Sequence, residues 1–431
     1  MTNEFSPRAE IWTTLAIAAF VLVVALLTSR AISRVNQPGV RYPEIDPEAW
    51  VLRDFRDAVY YPVRAIADGI SPYHVRNYVE KYPVGQDFPP YSPLTLVVHY
   101  PFGLVSLPVA EWTYFVLTIA LTMFLAWFTL KLSNLPRFPA AVIALTAGLL
   151  ASRPGHMNLL LGQTTVPLII MTLAALHFSA KDKPWLSGFC AAISTLKPTY
   201  GICLLPLMFS MGHRKAAIRG GLLSVSITLP LALWIVWLQG GVQESIEIAM
   251  ENAQVLYDNP GRDPSQSFSR VDVMALGARC FRSTFNSKLE FVVTGIVIGL
   301  GCLVLFRASP RFPPIEALLP AGIFALLALL IGSYHHAYDA ILLIPILIAA
   351  MARSDEFWRR WSKPMFAIWC GLIAIPLVNY AATNTFIDKF QLTRSAWNIV
   401  TALNSAALLI ATVWLGIALL RGQQNQSRTT S

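Results

Sequence analysis

The chain has 431 residues, of which 55% are hydrophobic and only 13% charged, with a formal net charge of +9. Roughly a quarter of the residues in a soluble chain are charged, so this composition excludes an ordinary soluble domain. The basic surplus would mark a polyanion-binding protein only if it gathered in one patch, and it is spread along the chain.

In chain order, the apolar stretches that reach or approach the about 20 residues needed to cross a bilayer are Ile11–Leu27, Val109–Leu130, Leu159–Phe178, Gly220–Leu238, Phe291–Phe306, Ile315–Ile331, Phe366–Ala382 and Trp397–Leu420. Lipid permits only helices or closed barrels, and these stretches lack barrel alternation. The expectation is an all-α polytopic membrane protein. The first stretch has no clean small-residue cleavage site after it and reads as an uncleaved anchor. Placing the N-terminus in the cytoplasm puts Lys131, Arg137, Lys181, Lys183, Arg214, Lys215 and Arg353 on the cytoplasmic side. The short outer turns then hold only Arg153, Lys389 and Arg394. This positive-inside bias explains the surplus, puts both termini in the cytoplasm and removes the nucleic-acid reading.

Residues 29–107 form a first long outer loop. Within it "RDFRDAVYYPVRAIADGISPY", residues 53–73, gathers acids, bases and aromatics. Val51, Phe55, Val59, Val63 and Ile66 recur at helical spacing from Pro47 to Asp68. The pattern predicts an amphipathic helix flat on the outer interface, capped by Asp46 or Asp54, kinked at Pro62 and ended by Gly69. Arg53 with Asp57, and Arg64 with Asp68, are spaced to pair, and Asp54 and Asp57 share one face. Next, "YPVGQDFPPYSPLTLVVHYPFG", residues 82–103, alternates aromatics and prolines around Asp87, and suits a sugar or lipid cleft. Tyr91 lies within it.

"NLLLGQTTVPL", residues 158–168, places Gln163 after Gly162 at the start of a span. Gly162 would let another backbone approach, and a buried amide needs partners. Pro184 to Met211 is too short for two ordinary spans and carries Gly188, Pro198, Gly201 and Pro206. It reads as a short broken hairpin with Lys197-Pro198 near its tip, and brings the total to about twelve membrane segments. Lys197, an ionisable group in an apolar stretch, is a functional candidate suited to phosphate. Residues 239–288 form the second long outer loop. Its "NPGRDPSQSFSRVD" holds Arg262, Gln266 and Arg270 and suits a lid or a plain solvated loop. In "GSYHHAYD", His335, His336 and Asp339 stand where a span meets the outer face. They favour phosphate or sugar contact over a metal site, because adjacent histidines point apart on a helix. The five cysteines show no metal spacing, and the polar tail 422–431 is expected to be disordered.

These residues, in this order, resemble glycosyltransferase family 87, polytopic enzymes of the GT-C fold that include polyprenol-phosphate-mannose-dependent α-mannosyltransferases. Asp54-Phe55, Tyr60-Tyr61, Gly69 to Tyr73, "DFPPYSPL", Gly162-Gln163, Lys197-Pro198 and Ser265-Gln266-Ser267 carry the resemblance, over about residues 45 to 350. It implies a single GT-C-like domain and an inverting hexosyltransferase of the cell membrane, with its active site on the extracytoplasmic side. The donor would be a polyprenyl-phosphate sugar, mannose foremost, and the acceptor an envelope glycolipid or glycan. No tightly bound cofactor or metal is expected, and dependence on a divalent cation stays open. Asp54 or Asp57 would be the base. Arg56, Lys197, His335 and His336 would hold the donor phosphate, and Tyr60, Tyr61, Tyr91, Gln163, Gln266 and Asp339 the substrate cleft, with Trp50 also against the sugar. A transporter or flippase of lipid-linked sugars and a non-catalytic assembly factor are the rival readings. Transporters show broken helices in both halves, and only one broken hairpin is visible here.

Overall fold

A computed structural model describes residues 7–35, 52–86, 88–259, 261–281, 287–308, 318–355 and 361–429. The regular structure among them is helical, save one isolated antiparallel bridge between Arg270 and His336. Six helices are long and apolar enough to cross a membrane: Glu10–Ile32, Leu107–Leu132, Arg214–Leu238, Lys288–Ala308, Lys363–Ala382 and Arg394–Arg421. A seventh candidate is the pair Arg153–Leu161 and Thr165–Ala180, bent by 118°. The apolar helices Pro139–Ala151, Pro198–Ser210, Pro320–Gly332 and Ala337–Ala352 are shorter. Twelve segments are therefore not reached by helix length alone.

The molecule is apolar on the outside as well as inside. Val21, Leu22, Leu222, Leu229, Leu233, Ile296 and Leu300 are exposed on their helices, as lipid-facing positions require. The core lies where the short helices gather. Every residue of Pro320–Gly332 is buried, packed with Ser287–Ala308, Pro198–Ser210 and the last long helix. At 1.5 Å per residue its 13 residues rise about 20 Å, too short to span alone and tolerable only inside protein. The hairpin expected between Pro184 and Met211 is present. Pro184–Ser194 and Pro198–Ser210 are antiparallel neighbours, and Lys197 begins the second helix at the turn.

The first long loop departs from expectation. Its helix has three consecutive parts: Arg53–Phe55, a wide π turn Arg56–Tyr60, and Tyr61–Ala67. It does not lie on a surface: Phe55, Asp57, Val59, Val63 and Ala65 are all at most 1% exposed. Ala58, Tyr60, Pro62 and Ile66 are buried as well, while Arg53, Asp54, Arg56, Tyr61 and Arg64 are half-buried, so protein covers most of the helix. Pro62 does not kink a regular helix. It begins the final segment, where its missing N–H accompanies the change from π to α spacing. Gly69, at φ +70°, ends the helix as expected, with Ile70 N–H bonded to Ala65 C=O and Gly69 N–H to Ile66 C=O. Asp46, Pro47, Trp50, Val51 and Asp87 lie outside the described residues.

The second long loop is not plain coil. It carries the helices Val242–Asp258 and Val273–Phe281, with turns between them. Residues 422–429 of the tail expected to be disordered continue the helix Arg394–Thr429. Extending an existing helix adds one hydrogen bond per residue fixed, without a new nucleus, and polar residues such as the tail's glutamines permit it.

Candidate active site

Two backbone features bring Asp54 to the bent span. Gly162 adopts φ +71° at the end of Arg153–Leu161, and a Cβ there would stand 2.6 Å from Phe55 Cβ. Leu52 N–H donates to Leu160 C=O at 2.6 Å, which helps hold Leu52 at φ 60°, an unusual geometry for a bulky residue. The loop helix thus docks on the break at Gly162, and Asp54 meets the residue after it. The Gln163 side-chain amide donates to Asp54 Oδ2. Tyr91 Oη donates to Gln163 Oε1 at 3.1 Å, and Tyr114 Oη to the Gln163 carbonyl at 3.0 Å. Phe55 stacks on Tyr114 at 4.4 Å between centroids. Asp54 is partly exposed, and burial raises its pKa against the opposing pull of Arg53 and the Gln163 amide.

A second group adjoins the first. Lys197 Nζ donates to both oxygens of Asp339, at 2.9 and 2.7 Å. Asp339 also accepts from Thr165 Oγ1 at 3.0 Å, Tyr200 Oη at 3.2 Å and the His336 N–H at 3.0 Å, and its Oδ2 stands 3.0 Å from His335 Nδ1. Asp339 is wholly buried and its acceptor capacity is filled, so it has no free oxygen to offer a substrate. Lys197 sits over the Tyr338 ring at 5.0 Å and uses two of its three N–H groups on Asp339. Arg262 is within electrostatic range of Asp54, Lys197 and Tyr91, which unites the two groups. It lies 5.5 Å over the Tyr334 ring, is partly exposed, and pairs with no acid among the described residues.

Several expected members stand elsewhere. Arg56 pairs with Glu111, a buried acid of the helix Leu107–Leu132. Asp57 Oδ1 accepts the Gly85 N–H at 3.1 Å, and Arg53 stands 4.0 Å from Oδ2, the pairing anticipated from the spacing. Burial pushes the Asp57 carboxyl up to about 7, opposed by the Gly85 N–H and Arg53. Because a π turn holds more residues than an α turn, acids three apart diverge, and Asp54 and Asp57 have different partners. Arg64 and Asp68 do not pair. Arg64 donates to Gly103 C=O at 3.0 Å, while Asp68 takes Tyr82 Oη at 2.6 Å and Lys81 Nζ at 3.1 Å.

Tyr60 donates to Val105 C=O, and Tyr61 packs on Tyr60 and Tyr82, on the Asp57 side. His336 bonds Ser269 through Nδ1 at 2.5 Å and Tyr334 through Nε2, so both ring nitrogens are engaged. Gln266 binds Asp263 at 2.8 Å within its own exposed turn and is not brought to Asp54.

Glu111 was visible in principle, as the one acid in an otherwise apolar span. Nothing local distinguishes Thr165 or Tyr200, and nothing local sets Arg262 apart from Gln266 and Arg270 in the same loop. Among the described residues, no three His, Cys, Asp or Glu side chains stand together as a metal site. The cluster offers instead a partly exposed carboxylate with a raised pKa, oriented by an amide, beside an arginine without an acid partner. Residues 88–333, more than half of the chain, match the model of one family, described as glycosyltransferase family 87. No curated protein and no solved structure matches.

Proposed function

The chain belongs to glycosyltransferase family 87 and is a membrane glycosyltransferase, and from that premise we propose an inverting transfer of a hexose, mannose foremost, from a polyprenyl-phosphate donor to an extracytoplasmic envelope glycolipid or glycan. The observation that carries this reading is the meeting of Asp54, Gln163 and Tyr91 with Lys197 and Arg262 at one end of the apolar helices. A donor with a polyprenyl tail stays in the bilayer and delivers its sugar to such a cluster.

Asp54 is the base. It takes the proton of an acceptor hydroxyl, and that oxygen bonds to the anomeric carbon from the face opposite the phosphate. The bond from the anomeric carbon to the phosphate oxygen breaks, and polyprenyl phosphate leaves with the electron pair. Gln163, braced by Tyr91, orients the carboxylate. The donor phosphodiester carries one negative charge and the departing monoester nearly two, so a cation not already neutralised is needed there. Arg262 meets this requirement, with the remaining N–H of Lys197 beside it. His335 and His336 act through Asp339 and Ser269 as supports rather than as phosphate ligands. Arg56 serves Glu111, and Asp57 is a structural acid.

The test is transfer by the purified protein from labelled polyprenyl-phosphate-mannose to candidate acceptors. Asp54→Asn should lower the rate by roughly a hundred- to ten-thousandfold, whereas Asp57→Asn should retain most of it. Wild-type rates in Asp54→Asn would overturn the mechanism. Movement of intact lipid-linked sugar across a vesicle membrane, with no transfer from any donor, would favour the flippase reading.

A further inference from the structure

The helix Leu107–Leu132 has Glu111 near one end, paired with Arg56 of the Asp54 helix, and Lys131 at the other. The chain rises about 30 Å from one to the other at 1.5 Å per residue, the thickness of the hydrocarbon core. At the Lys131 end, across the bilayer from the candidate active site, a cavity of about 710 Å³ opens. Its walls carry Lys131, Arg137, His177, Lys181 and Lys183, and its apolar floor is Leu132, Leu135 and Phe178. We propose that this cavity binds the phosphate headgroup of an anionic phospholipid from the leaflet on that side.

The positive-inside bias accounts for cations on one face, but not for so many of them lining one cavity with so little counter-charge. Among the described residues no carboxylate pairs with Lys131, Arg137, Lys181 or Lys183. The helices Leu107–Leu132 and Thr165–Ala180 both end here, and each helix C-terminus supplies about half a negative charge. Asp182, exposed beside the cavity, supplies one more. Four lysine and arginine charges outweigh these, so the cavity keeps a net positive charge that the single negative charge of a phospholipid phosphodiester would partly neutralise. Arg353 adds a further cation at the rim, donating to the Leu132 carbonyl at 3.0 Å.

Lipid is favoured over a soluble anion by position. Lys131 lies over the Trp127 ring at 5.1 Å, and Trp127 sits with Phe124 and Phe128, an aromatic group of the kind found at headgroup level. The floor of Leu132, Leu135 and Phe178 gives an acyl chain an apolar path. Basic pockets between spanning helices are known to take lipid headgroups in this way.

The experiment uses the full chain in nanodiscs of mixed phosphatidylcholine and phosphatidylglycerol. Lipids retained after extraction into detergent are weighed by native mass spectrometry. The wild type should retain phosphatidylglycerol over phosphatidylcholine by roughly tenfold or more, since each basic side chain near a surface is worth about fivefold in anion binding. Lys131→Gln with Lys181→Gln should bring the ratio close to one, and Lys181→Gln with Lys183→Gln should do likewise. These side chains are exposed, so an unchanged melting temperature is expected to show that the fold is kept. The control pair Arg214→Gln with Lys215→Gln, basic residues outside the cavity, should leave the ratio unchanged. An equal loss in that control would assign the effect to general surface charge and overturn the site. Displacement of the lipid by millimolar inorganic phosphate would overturn the lipid assignment in favour of a soluble anion. Equal retention of both lipids by the wild type would overturn it outright.

Discussion

Asp54 and Asp57 differ by three positions and by almost everything around them. Asp54 is partly exposed, bonded to Gln163 and within range of Arg262, while Asp57 is buried against Gly85 and Arg53. Burial raises the pKa of Asp54, so kcat/KM should rise with pH as that carboxyl ionises, with a midpoint above the usual carboxylate value of about 3.9. A rate profile flat between pH 4 and 8 would count against Asp54 as the base. For Asp57 the folded carboxyl lies near 7 against 3.8 for an unperturbed group, so the folded state holds the proton more tightly. Its stabilising effect is present below pH about 4 and is lost as pH rises through about 7. Asp57→Asn should therefore flatten the pH dependence of the melting temperature across that window. Lys197→Met would leave Asp339 buried without its cation, at a cost of about 3–5 kcal/mol. Lys197→Met together with Asp339→Leu should recover part of that loss in melting temperature without restoring transfer.

At the scale of elements, the site depends on one contact: the loop helix beginning at Arg53 against the break at Gly162. Gly162→Val would place Cβ 2.6 Å from Phe55 Cβ at a φ of +71°, which valine adopts poorly. The rigid partner is another backbone segment, so the loop helix must shift and carry Asp54 away from Gln163. The expected outcome is a transfer rate lowered at least tenfold in protein that still purifies intact from the membrane. Unaltered transfer would show that Asp54 does not depend on this docking. The pairing of Arg53 with Asp57 and the stop at Gly69 were legible because they are local, set by spacing and by φ. The pairing of Arg64 with Asp68 was equally local in prospect and failed, because Gly103 and Lys81 offered better partners from distant segments.

For the whole molecule, the two faces of the membrane can be told apart without mutation. Cys190 and Cys203 are buried and Cys302 and Cys370 half-buried in apolar helices, which leaves Cys280, on Val273–Phe281, as the one exposed thiol. If the face bearing Asp54 is extracytoplasmic, a membrane-impermeant maleimide should label Cys280 in intact cells. Labelling only after lysis would reverse the sidedness and move the proposed transfer to the cytoplasmic face. The second long loop crosses above the site, since Val271 N–H donates to His335 C=O at 3.0 Å and Ser269 meets His336. This loop brings Arg262 to the cluster.

By itself the sequence determined the membrane class, the broken hairpin with Lys197 at its turn, the close approach at Gly162 and the order of motifs that mark the family. Each follows from a local property: apolar length, helix-breaking residues, a missing Cβ, or residue types in a fixed order. Only the tertiary structure decided which charges are already spent. Arg56 goes to Glu111 and Lys197 to Asp339, while Arg262 pairs with no acid among the described residues. The physical reason is that an ion pair in a low-dielectric interior is fixed by which groups packing brings within a few ångströms. Those partners lie 55 residues away for Arg56 and 142 for Lys197, beyond the reach of any local pattern.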